Sequence, residues 1–349
     1  MWENLDKQIF SPLLMVPAEG EFTRQAGQLG VRIIICPFPQ IALRNLFGIA
    51  QTVAFLKEVI LKEHIHLIHS HTARNNILAS LIGRLMRVPV IWHERNILVK
   101  GEADITKMLL FLPNAVICNS QAVARRFGEF PSKIKVILNG VDLGRFMPIT
   151  ADMGLKNKYD CEQRLTVGIV TNLTLRRRVE YFIEAAALIH VLEPDVSFFI
   201  IGGEFEEASK GRLKQLEALS HALGLQNCLF FAGRQDDVRP WIAMFDISCH
   251  VTSQDACSRS VLEAMSMGRA MVAMNDGGNP ELIENGQSGI LVGPHDKSFF
   301  VNAVLSLLKD KEKRIKIGNA ARTRIQQHFD IKRNTQETQD LYLDCMTKG

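Results

Sequence analysis

The chain has 349 residues, 47% hydrophobic and 22% charged, with a formal net charge of +4. That length exceeds one ordinary core and suits two domains, and the balance excludes a disordered chain or a fibre. The charge is uneven, with 17 Lys and Arg against 11 Asp and Glu in residues 1–150 and 24 against 26 in the rest; the basic first half suits an anionic membrane surface or a phosphate-bearing acceptor, or simply carries solvated charges.

Short apolar runs alternate with amphipathic stretches along the first half: PLLMV, VRIIIC, LIHSH, VPVIWH, AVICNS and KVILNG read as strands. The second half restarts the same grammar with LTVGIV, SFFIIGG, CLFFAG, DISCHV, AMVAM and GILVG. Strands alternating with helices predict parallel sheets covered on both faces, hence α/β architecture in two doubly wound domains, with a ligand cleft between them. The polar stretch from Asn139 to Gln163 marks the boundary, placing an N-terminal domain over 1–150 and a C-terminal one over 151–330.

Two strand ends carry polar clusters. His69 and His71 close LIHSH, and His93, Glu94 and Arg95 follow VPVIW, at the sheet edge where open α/β folds bind ligands. In the second half VTNLTLRRRVEYFIEA sets Arg176, Arg177 and Arg178 at a helix start, where cations oppose the helix dipole unless an anion sits there. From Asp255 the chain reads DACSRSVLEAMSMGRAMVAMNDGGNPELIENGQSG. Ser258 is placed to cap a helix carrying Glu263, AMVAM is a strand, and NDGGNP is a turn after which Pro280 opens another helix.

The seven cysteines at 36, 118, 161, 228, 249, 257 and 345 show no CxxC spacing, which argues against a disulfide framework or zinc site and for a reducing cytoplasm. Cys257 as a nucleophile is the weaker reading, since buried thiols usually pack. No apolar h-region or run of 18 apolar residues occurs, so any membrane contact is expected to be peripheral. No nucleic-acid motif is present, and three consecutive arginines do not make one.

The segment from Asp255 resembles retaining glycosyltransferase family 4, whose pattern is Glu, seven residues, Glu, with LEAM and GG-PE following. Here Asp255 stands in the first acidic position and Glu263 in the second. NGVDLGRF, VICNSQAV, GRQDDVRPWIAMFDI and FDIKRNTQETQDLY resemble further segments of the family. The resemblance implies the GT-B fold, with two Rossmann-like domains flanking a cleft and a closing helix over 331–349 returning to the first. It also implies a first domain shortened at its start, through a misassigned start or a real loss, because the family's opening strand and Gly-Gly loop have no counterpart.

By the same resemblance, Glu263 binds ribose hydroxyls and Asp255 positions the donor sugar, gripped also by the backbone of Cys257, Ser258 and Arg259. Asn172 and Arg177 occupy the places of an Arg and a Lys that hold the diphosphate, so one cation is kept and one lost; Arg176 or Arg178 is available to compensate. Arg234, in GRQDDV, falls on the donor side. His93 stands near the transferring sugar, and Glu94 is a candidate base toward the acceptor hydroxyl. The expected activity moves a sugar from a UDP or GDP donor to a glycan or lipid-linked acceptor in bacterial surface polysaccharide or lipopolysaccharide synthesis. No cofactor and no metal are expected, and His69 with His71 is a weak metal reading. The expected site is cytoplasmic, with peripheral contact at the inner membrane. The rival reading is a non-catalytic nucleotide-sugar-binding relative, favoured by the Asp-for-Glu change and Asn172. A GT-B nucleotide-sugar epimerase is disfavoured by the LEAM and GG-PE segments.

Overall fold

A computed structural model describes residues 2–37, 46–98, 104–128, 132–204 and 209–347. The chain divides into two compact units, one of Met1–Leu138 with Ile331–Gly349 and one of Asn139–Asp330. The break precedes the boundary at 150 expected from sequence. Residues 139–150 are knitted into the second unit: Val141 N donates to Phe329 O at 2.8 Å, and Ser266 Oγ to Phe146 O at 2.8 Å. The lack of helix or strand periodicity in this stretch concealed those contacts, which lie far apart in sequence.

In the first unit, β1 (Leu13–Val16), α1 (Glu21–Gln28) and β2 (Arg32–Ile35) form one βαβ unit with parallel strands. After α2 (Leu46–Lys62) come β3 (Ile68–His71), α3 (Ala73–Met86), β4 (Val90–Glu94), α4 (Ile105–Met108), β5 (Ala115–Cys118), α5 (Gln121–Ala124) and β6 (Ile134–Val136). Strands β3 to β6 make a parallel sheet in sequential order. All of β5 is buried, as expected of a parallel strand covered on both faces.

The second unit runs α6 (Met153–Asn157), β7 (Leu165–Val170), α7 (Val179–Leu192), β8 (Val196–Ile201), α8 (Arg212–Ala222), β9 (Leu229–Gly233), α9 (Arg239–Met244), β10 (Ile247–His250), α10 (Arg259–Ser266), β11 (Ala270–Met274), α11 (Asn279–Leu282), β12 (Ile290–Val292), α12 (Lys297–Lys309) and α13 (Lys311–His328). Its six-stranded parallel sheet has the order β12-β11-β10-β7-β8-β9. Counted from β7, this is the doubly wound 3-2-1-4-5-6 order, whose direction reverses between β7 and β10. The core is aromatic and aliphatic: Phe182 and Ile183 of α7, Phe198 and Ile200 of β8, and Phe300 and Val304 of α12 are buried together. Val179, Phe182, Ile183, Ala186 and Ile189 recur at helical spacing, which gives α7 its inward face.

The last helix, α14 (Ile331–Thr347), belongs to the first unit. Leu341, Tyr342 and Cys345 pack against Ile91, Ala115 and Ile117 of the sheet, and Gln339 Oε1 accepts from Asp6 N at 2.6 Å.

Candidate active site

In a doubly wound sheet the ligand crevice lies outside the carboxyl ends of the strands flanking the reversal. In the second unit these are β7 and β10, and the loops that follow them hold Asn172 and Arg177, then Asp255, Cys257 and Ser258. The loops meet through an ion pair: Arg177 Nη1 donates to Asp255 Oδ2 at 2.9 Å. The side chains are 24% and 15% exposed, so the pair is largely withdrawn from solvent yet reachable from it. Of the three arginines before α7, Arg177 therefore already has an anion. It is supplied by the protein.

Asp255 Oδ2 also accepts from His250 Nε2 at 3.1 Å. His250 is buried at the end of β10, and its Nδ1 receives Asn279 Nδ2 at 3.1 Å. Because an amide nitrogen only donates, Nδ1 accepts and the ring proton sits on Nε2, aimed at the carboxylate. Asn279 also donates to Met274 O at 2.9 Å. Burial pushes the Asp255 carboxyl up, but the hydrogen bond from His250, then the charge and hydrogen bond of Arg177, outweigh it and hold the group well below the usual carboxylate range.

The glycine pair of the NDGG turn has a steric reason. Gly277 lies at φ +59°, and a Cβ there would stand 2.3 Å from Asp255 O; Gly278 N donates to the same oxygen at 2.8 Å. Asp276 completes the clamp, accepting from Gln254 N at 3.0 Å and Gly277 N at 2.7 Å. The turn after β11 thus fixes the backbone that carries Asp255.

Ser258 occupies the residue before α10, but its hydroxyl does not cap the helix; it pairs with Ser260 Oγ at 3.1 Å. The expected cap is corrected accordingly: the extended loop turns this hydroxyl across the helix start and away from the first-turn amides. Cys257 is buried, and its carbonyl accepts from Asn139 Nδ2 at 2.9 Å. Arg259 opens α10, and Glu263 lies one turn on. Burial pushes the Glu263 carboxyl up to about 7, against the opposing charges of Arg259 and Arg145.

The structure does not gather every predicted donor residue. Asn172 turns its side chain back on its own loop, accepting from Thr174 Oγ1 at 2.9 Å. Arg178, at φ +54° before α7, stacks over the Tyr181 ring at 4.8 Å, in a recess it shares with Glu184, His295 and Lys297. It is thus engaged away from Asp255. Arg234 follows β9, the far strand of this half-sheet.

In the first unit, strand alternation separates His93 from Glu94. His93 shares a face with His69 and His71, and the rings of His69 and His93 stack at 5.2 Å between centroids. His69 Nε2 and His93 Nδ1 are hydrogen-bonded at 3.1 Å, and His69 Nδ1 pairs with the Tyr342 hydroxyl. Burial and the nearby Arg95 keep these rings neutral: His71 is lowered to about 4, and burial with neighbouring charge takes His69 and His93 well below the usual range.

Glu94 faces the other way. Its Oε1 accepts from Asn76 at 2.8 Å and its Oε2 from Arg126 at 2.7 Å, and it is 7% exposed. Burial raises its pKa, with Arg126 opposing. The expected base toward an acceptor hydroxyl is therefore corrected: both oxygens are already bound and the group is shut from solvent. Sequence reasoning missed His250, Asn279, Asn76, Arg126 and Tyr342. His250 alone left a signal, standing at a strand end as His93 does.

Comparison with known proteins agrees with this architecture. Residues 156–324 match the family described as Glycosyl transferases group 1, and residues 3–145 match Glycosyltransferase Family 4. The chain belongs to this family and is a glycosyltransferase of the GT-B fold. It is 27% identical to a UDP-Gal:alpha-D-GlcNAc-diphosphoundecaprenol alpha-1,3-galactosyltransferase of Escherichia coli, over 83% of this chain and 78% of that one. It is 22% identical to an N,N'-diacetylbacillosaminyl-diphospho-undecaprenol alpha-1,3-N-acetylgalactosaminyltransferase of Campylobacter jejuni, over 91% and 88%. Among solved structures, Anabaena HepE in complex with UDP superposes with a TM-score of 0.84 at 23% identity, covering 95% of this chain and 92% of that one. A glycosyltransferase of Rickettsia africae superposes at 0.87 with 17% identity, covering 99% and 93%. Among the described residues no helix is long and apolar enough to cross a membrane.

Proposed function

We propose that the protein transfers a hexosyl group from a nucleoside-diphosphate sugar, a UDP-sugar before a GDP-sugar, to a lipid-linked glycan acceptor, with retention of anomeric configuration. The observation that carries this reading is the Arg177–Asp255 pair at the β7/β10 reversal of the second unit. A diphosphate leaving group needs fixed positive charge, and Arg177 with the first-turn amides of α10 supplies it. Asp255, its carboxylate held by His250, accepts from donor-sugar hydroxyls; Glu263 accepts from ribose hydroxyls. The leaving phosphate oxygen takes the proton of the incoming hydroxyl on the same face, so the transfer needs no separate strong base. His93 stands on the acceptor side. The UDP bound by Anabaena HepE and the diphosphoundecaprenol acceptor named for the Escherichia coli relative support the choice of donor and acceptor. A cytoplasmic location with peripheral membrane contact goes with a lipid-linked acceptor.

The test is release of free nucleotide from a panel of UDP- and GDP-sugars, with and without undecaprenol-linked glycans. Acceptor-dependent release from a UDP-sugar is expected. One observation favours the non-catalytic alternative: Asn172 stands where a second cation is expected, and its side chain is spent within its own loop. Nucleotide binding without release from any donor would establish that alternative.

A further inference from the structure

The first unit holds a second constellation, which the transfer chemistry does not use as a set. His69 and His71 lie two apart on β3, so both project from the same face of the sheet. His93 on β4 is the register partner of His71 and joins them there. One potential ligand nitrogen from each ring falls within 4.8 Å of the others. We propose that His69, His71 and His93 form a three-histidine site for one divalent transition-metal cation of the Zn2+ type, distinct from the diphosphate site of the second unit.

Four features support it. A zinc ion held at about 2.0–2.1 Å by tetrahedrally disposed nitrogens places them about 3.3 Å apart, and His69 Nε2 and His93 Nδ1 already stand 3.1 Å apart. The outer partner of a ligating imidazole is present: the Tyr342 hydroxyl sits on His69 Nδ1. With the cation on His69 Nε2, Nδ1 carries the ring proton and donates it to the tyrosine oxygen. With His93 Nδ1 as the ligand, its ring proton rests on the buried Nε2, which has no other partner to give up, so binding costs this ring only its bond to His69. His71 is exposed, which leaves a path for the ion and room for water in a fourth position. One feature opposes binding. The charge of Arg95 acts on all three rings and weakens the site relative to a neutral surrounding.

The experiment titrates the EDTA-treated full-length protein with Zn2+ by calorimetry and with Co2+ by visible absorption. One equivalent per chain is expected, with the intense d–d bands of low-coordinate Co2+. His71→Ala, an exposed change that spares the fold, should abolish both signals. Tyr342→Phe should weaken binding by about tenfold or more. Arg95→Gln should tighten it. His64→Ala/His66→Ala, a control for adventitious histidines just before β3, should leave it unchanged. The proposal is overturned if the wild-type protein takes up no stoichiometric metal, if His71→Ala binds as the wild type does, or if only the His64/His66 variant loses binding.

Discussion

Replacing Glu263 by Gln should stabilise the protein at alkaline pH while weakening its hold on the donor. The carboxyl is largely buried, and its pKa in the folded chain is about 7 against an ordinary 4.5. Below 4.5 the group is protonated whether folded or unfolded, and burial costs no charge. As pH rises the unfolded chain ionises first, so the folded state loses stability until the folded carboxyl ionises too, and the loss levels off above about 7. At about 1.4 kcal/mol per pH unit the gap between the two values amounts to roughly 3 kcal/mol, of which about 2.5 kcal/mol develops between pH 5 and 8. The amide of the Glu263→Gln variant cannot ionise, so the stability difference between variant and wild type should grow in the variant's favour by that amount over the interval. Urea unfolding of both proteins at several pH values reads it, and the comparison cancels every other titrating group. Donor affinity should run the opposite way. If ribose hydroxyls require the ionised carboxylate, wild-type UDP binding strengthens by about tenfold from pH 6 to 8, and the variant binds weakly at both. A stability difference that does not change with pH would refute the assignment of a buried, proton-retaining carboxyl at this position.

Three further outcomes follow from the geometry. Arg177→Ala should lower kcat by roughly 100-fold or more, the cost of removing one preorganised donor to developing charge, with a smaller change in KM; wild-type turnover in nucleotide-release assays would sink its role. Gly277→Ala drives a Cβ to within 2.3 Å of Asp255 O at a left-handed φ, so the Tm should fall by an amount corresponding to at least 1–3 kcal/mol, roughly the cost of such backbone strain. Asn279→Leu removes the donor that sets the His250 tautomer and should destabilise by about 1–3 kcal/mol, while KM for the donor rises as Asp255 loses its fixed orientation.

Much of the fold was legible because parallel strands buried on both faces are continuous apolar runs, and each of the twelve runs read as strands overlaps one. The domain break was less legible. Residues 139–150 look like a linker by composition, and only hydrogen bonds to Phe329 and from Ser266 assign them to the second unit. At the site, the acids and the glycine turn could be read because their spacing is local. Their partners could not. His250 and Asn279 are 29 residues apart, and Arg177 and Asp255 are 78 apart.

By itself the sequence determined the periodicities, the strand-ending polar clusters and the family pattern from Asp255 to Gly289, because each depends on residues within one strand, turn or helix. Tertiary structure decided which side chains meet. It spent Asn172 on its own loop, stacked Arg178 on Tyr181, buried Glu94 between Asn76 and Arg126, and gave Asp255 both Arg177 and His250. The reason is physical: a strand's alternation fixes the face a residue occupies, but the partner it meets there comes from another element, chosen by the order of strands in the sheet and by the requirement that buried polar groups be paired.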